Sequence, residues 1–111
     1  MSPASVRSGS VSLEVEQPLN QNEIIVRVID PSAKSLEVSC TISRQIDAKG
    51  GKTLRLFTLT LTKYPKSRYT NTYVGIYRDE VDTPHGSTIV VEYSSPSEPK
   101  PLTATIKMIY H

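Results

Sequence analysis

The chain has 111 residues, enough for one domain and too few for an enzyme carrying a second cofactor domain. Val, Ile, Thr and Tyr together number 36 against 4 Ala, an excess of β-branched and aromatic residues that argues against a helical bundle. The formal charge of +2 excludes a uniformly polybasic nucleic-acid binder, and no apolar run approaches the roughly 20 residues of a membrane helix.

Residues 1–10 are too polar for a secretory signal and read as a flexible arm, followed by a single β-rich domain over 11–111. Seven strands are predicted from period-two alternation. Val11 to Gln17 sets Val11, Leu13 and Val15 against Ser12, Glu14 and Glu16, and a turn from Pro18 to Asn22 leads into Glu23 to Asp30, closing a first hairpin. After Pro31-Ser32, Leu36 to Ile46 places Leu36, Val38, Cys40 and Ile42 on one face and Glu37, Ser39, Thr41 and Ser43 on the other. A polar loop, Asp47 to Lys52 with Gly50-Gly51, connects it to Thr53 to Lys63. That strand sets Phe57, Leu59 and Leu61 against Thr58, Thr60 and Thr62. Tyr69 to Arg78 follows, with Thr72, Val74 and Ile76 opposing Asn71, Tyr73, Gly75 and Tyr77. Asp79 to Gly86 is an acidic connection. Ser87 to Tyr93 and Leu102 to Tyr110 complete the set, separated by a segment whose three prolines exclude helix and central strand alike.

Seven short strands in about 100 residues make an immunoglobulin-like sandwich the default. The central hairpin, with strands of about eleven residues against the usual five or six, points instead to one extended sheet with a polar face.

Signs of catalysis are missing. Gly51-Lys52-Thr53 imitates the end of a phosphate-binding loop, but Ile46 stands where the earlier glycine is required and a strand follows where a helix should start. The two histidines, His85 and His111, have no metal-ligand spacing, and Cys40 sits on an apolar strand face as an inert thiol. The reading is of a chain without catalytic residues, metal or cofactor, and without a small-molecule substrate or membrane partner.

The charge is uneven. Residues 34–68 hold eight basic and two acidic side chains, a local +6, while residues 1–33 and 69–111 each carry −2. Hydroxyls on the polar parity of the hairpin can bond bases and phosphates, and tyrosines offer stacking platforms for unpaired bases. The residues expected to contact RNA are Ser39, Thr41, Ser43, Arg44, Lys49, Lys52, Thr58, Thr60, Thr62, Lys63, Tyr73 and Tyr77.

The run Leu36 to Gln45, the Lys49-Gly50-Gly51-Lys52 loop and Leu54 to Leu61 resemble the central hairpin of coat proteins of single-stranded RNA bacteriophages, and Tyr69 to Arg78 is similar to their next strand. Over residues 11–80 this resemblance implies an antiparallel sheet continuous across a homodimer, icosahedral self-assembly in the host cytoplasm into a virion, and RNA held on the polar face. Leu54 and Leu56 at polar parity, with Arg55 at core parity, depart from the pattern and call for a bulge or a change of face near the loop. Beyond Arg78 the family's two helices are replaced by a predicted C-terminal β-hairpin.

Overall fold

The computed structural model describes residues 4–18, 22–48, 51–67, 70–79 and 87–108, with the side chains of 46–48 and 51–53 left aside. Eight strands are present: β1 (Ala4–Ser8), β2 (Val11–Glu16), β3 (Glu23–Ile29), β4 (Glu37–Ala48), β5 (Gly51–Lys63), β6 (Thr72–Arg78), β7 (Ser87–Tyr93) and β8 (Leu102–Met108). Among the described residues there is no helix. All neighbours are antiparallel, in the order β1-β2-β3-β6-β5-β4-β7-β8, and β8 curls round to lie beside β1 and β2, so the sheet nearly closes on itself. The meander β4-β5-β6 is flanked by β3 beside β6 and β7 beside β4, giving two overlapping Greek keys.

Closure follows from the apolar alternation. Val11, Leu13 and Val15 of β2, Ile24, Val26 and Val28 of β3, Cys40 and Ile42 of β4, Ile89 and Val91 of β7, and Leu102, Ala104, Ile106 and Met108 of β8 all turn inward and are buried. Each fully buried large aliphatic contributes about 1.5–3 kcal/mol, and a flat open sheet would leave this whole face wet.

Three expectations are corrected. Ala4–Ser8, placed in a flexible arm, is a strand, because Ala4↔Val15 through Ser8↔Val11 pair it with β2 and Gly9 at φ 57° makes the turn between them. No bulge interrupts the central hairpin: β4 and β5 stay in register from Glu37↔Thr62 to Ala48↔Gly51, so Leu54 and Leu56 stand outward, 57% and 66% exposed. The faces of β6 are the reverse of those expected. Tyr73 and Tyr77 point inward and are buried, while Val74 is half-buried and Ile76 is exposed. The pairings Val28↔Tyr73 and Lys63↔Tyr73 put Tyr73 on the side of buried Val28, and side chains opposite one another in antiparallel strands share a face.

The long central hairpin and the C-terminal hairpin β7-β8 are both present. The molecule measures 47 × 28 × 22 Å, and the paired stretch of β4 and β5 beyond Gln45↔Thr88, where the β4–β7 ladder ends, forms its projecting part.

Candidate functional site

The twelve residues expected to meet RNA fall into three groups. Ser39, Thr41, Thr58, Thr60 and Thr62 are exposed on the outer face and Ser43 is partly so; Ser39↔Thr60 and Thr41↔Thr58 align four of the hydroxyls across the hairpin. Lys49 lies outside the described residues, as does the side chain of Lys52. Arg44, Lys63, Tyr73 and Tyr77 lie on the interior side of the sheet, so they do not join the hydroxyls on one surface.

Arg44 continues the inward parity of Cys40 and Ile42 and is 1% exposed. A buried guanidinium requires a partner, and Asp79, just past the end of β6, provides it: Arg44 Nε and Asp79 Oδ1 form an ion pair at 2.5 Å, with both side chains almost wholly enclosed. The same carboxylate accepts from Tyr77 Oη at 3.2 Å and from Ser87 Oγ at 2.7 Å, and the Asp79 amide donates to the Asn22 carbonyl at 2.7 Å. This cluster ties β4, β6 and the start of β7 together. Arg44 is thereby committed to the interior, because meeting a phosphate would break a desolvated ion pair.

A second interior carboxylate, Asp30, closes the opposite end of β3. It accepts from Tyr93 Oη at 2.6 Å, from Ser32 Oγ at 2.6 Å and from the Ser32 amide at 2.9 Å, the last an Asx turn at Pro31-Ser32. Burial alone raises the Asp30 carboxyl, but the hydrogen bonds from Ser32, Tyr93, Ser95 and the Ser32 amide outweigh it and hold the group below its ordinary range. Burial, with the neighbouring Asp30 charge, pushes the Tyr93 phenol well up and raises Tyr73, whose hydroxyl donates to the Ser35 carbonyl at 2.6 Å. Neither tyrosine is placed to stack on a base. The sequence reads Asp79 as a solvated charge of the acidic connection, and burial in the ion pair corrects this; the available signal is Arg44 at core parity, which calls for a buried acid.

Cys40 is buried, and burial pushes its thiol up to about 12, which suits a packing residue. Among the described residues no three His, Cys, Asp or Glu side chains come together as metal ligands.

What the surface does offer lies on the projecting hairpin. From Gly51 to Leu61, β5 has a ladder on its β4 side only; β6 is in register with it just at Thr62↔Val74 and Lys63↔Tyr73. The contact with β6 is nonetheless close: a Cβ on Gly75 would meet Leu61 Cδ2 at 2.6 Å and the Thr60 carbonyl at 3.0 Å, and Phe57 tilts against Tyr77 with centroids 5.6 Å apart. Further out, Leu54, Leu56 and Phe57 are exposed, as is Ile76 on β6. Natural sheets shield such an edge with prolines, bulges or inward charges. Between Gly51 and Leu61 there is no proline and no bulge, and the one inward-parity charge with a described side chain is Arg55, opposite Arg44. Compared with protein families, with curated proteins and with solved structures, the chain has no match.

Proposed function

We propose that the chain is a non-catalytic structural module that associates with a second copy of itself through the β4-β5 hairpin, the two sheets joining edge to edge. The observation that carries this reading is the one-sided ladder of β5, with Leu54, Leu56 and Phe57 exposed beside it. An apolar strand edge with half its backbone groups unpaired is matched by another strand, which supplies main-chain hydrogen bonds and covers the side chains. A two-fold axis through such an edge places each protomer's leucines against the other's, as an isologous contact requires.

The order of β2 to β8 also supports a module of immunoglobulin-like topology. Written as A to G, these strands run A-B-E-D and then C-F-G, the arrangement of the seven-strand sandwich, with the long β4-β5 hairpin bridging its two halves. Hydrogen exchange tests the edge directly. The β5 amides that do not bond β4 gain protection as protein concentration rises; exchange independent of concentration would overturn the proposal.

A second reading, a shell subunit that encloses RNA, keeps one supporting observation: the outward hydroxyls Ser39, Thr41, Thr58, Thr60 and Thr62 form a continuous polar strip on the hairpin. It predicts large particles containing host RNA on expression and a salt-dependent gel shift. Small oligomers without RNA affinity count against it.

A further inference from the structure

We infer that the outer face at the base of β5 carries a binding site for a small ring compound bearing an acidic group. A cavity of about 400 Å³ opens there, lined by Arg27, Thr62, Lys63, Tyr64, Lys66 and Val74. This volume lies within the range of roughly 300–1,000 Å³ typical of small-ligand sites. Register explains how the lining comes together: Arg27↔Val74 and Val74↔Thr62 set three neighbouring strands in one lateral row, so their side chains share the outer face.

The turn after β5 forms the wall and is held by its own backbone. The Tyr64 amide donates to the Thr72 carbonyl at 2.8 Å, the Ser67 amide to the Pro65 carbonyl at 2.7 Å, and Thr70 Oγ1 to the Pro65 carbonyl at 3.1 Å. Tyr64 is thereby presented with 70% of its surface in solvent, and among the described residues no other ring packs on it. An exposed aromatic beside a half-buried valine is a stacking platform.

Charge selects the rest of the ligand. Of the six lining residues Arg27 and Lys66 are cationic side chains of the outer surface, Lys63 adds a third cation from the inward parity, where it is 9% exposed, and none is acidic. Arg27 Nη1 donates to Glu14 Oε2 at 3.3 Å, on the side away from Val74, which uses one of the guanidinium's five donors. Across Arg27 a hollow of about 160 Å³ is lined by Glu14 and Glu16, so Arg27 divides an acidic surface from a cationic one. A carboxylate, sulfate or phosphate at Arg27 and Lys66, on a ring resting against Tyr64, satisfies both features. The site lies at the end of β5 opposite to the exposed leucines and is independent of the proposed self-association.

The test is an NMR titration of the labelled full chain with phenyl phosphate, and with inorganic phosphate and benzyl alcohol as probes of each half. Phenyl phosphate should give saturable shifts centred on the amides of Thr62, Tyr64, Lys66 and Val74, at a concentration about tenfold or more below that required for either half, since tenfold corresponds to only about 1.4 kcal/mol. Tyr64→Ala and Arg27→Gln should each weaken phenyl phosphate by a similar factor while leaving the remaining spectrum in place. Equal response to phenyl phosphate and inorganic phosphate, shifts spread over all lysines, or no effect of Tyr64→Ala would overturn the inference.

Discussion

Removing the Arg44 guanidinium leaves Asp79 enclosed without its cation, and removing Asp79 leaves the cation. Arg44→Leu is expected to cost about 3–5 kcal/mol in denaturant unfolding, the range for breaking a buried pair, and Asp79→Asn in the same chain should recover part of the loss. Asp30 responds to pH in a definite direction. Its folded carboxyl titrates below the ordinary 3.8, so between the two values the unfolded chain binds more protons. The stabilisation is complete above about 3.8 and is lost as pH falls through the folded value; Asp30→Asn should flatten stability against pH in that window. Tyr93→Phe removes a donor from the same carboxylate and is expected to cost about 1–3 kcal/mol. Cys40, buried and raised to about 12, should react with a thiol reagent at pH 8 only as fast as the domain unfolds. Arg44 shows how far single residues are legible. Its inward parity follows from Val38, Cys40 and Ile42, yet its charge favours an outward reading until Asp79, 35 positions later, is seen to meet it.

At the scale of elements, alternation decides where strands run and leaves open which way some of them face. The two parities of β6 are both apolar enough to be buried, Thr72, Val74 and Ile76 on one and Tyr73 and Tyr77 on the other. Only the registers with β3 and β5 choose the tyrosines, and the β3–β6 register pairs residues from 43 positions apart, Ile29↔Thr72, to 55, Glu23↔Arg78. Gly75 is the local sign of the choice. Its bare Cα lets β6 approach Leu61 and Thr60, and Gly75→Ala should loosen the β5–β6 contact, costing about 1–3 kcal/mol as overpacking does. The hairpin behaves oppositely. Leu54 and Leu56 are exposed, so replacing both with Glu should change the stability of the isolated domain by no more than about 0.5 kcal/mol per site while altering association.

For the whole molecule, closure was the feature least visible in the chain. The β1–β2 and β7–β8 hairpins are local, but the approach of β8 to β1 and β2 joins the two ends of the sequence. That approach turns a sheet with one open polar face into a curled one and encloses the inward side on which register has already set Arg44, Lys63, Tyr73 and Tyr77. The uneven charge is redistributed by the same closure. Within the basic middle third, Arg44 is neutralised by Asp79, while Lys34, Arg55 and Lys66 remain on the surface. Leu54, Leu56 and Phe57 are exposed together on the hairpin, where β5 runs beyond its ladder with β6, while Leu36 and Tyr64 are exposed near its other end and Ile76 on β6. Sedimentation equilibrium over a wide concentration range, on the unmodified chain and on Leu54→Glu/Leu56→Glu, tests that hairpin as the working surface. A reversible dimer is expected, which the double substitution returns to monomer with the fold intact. A monomer at every concentration, or a dimer indifferent to the substitution, would contradict it.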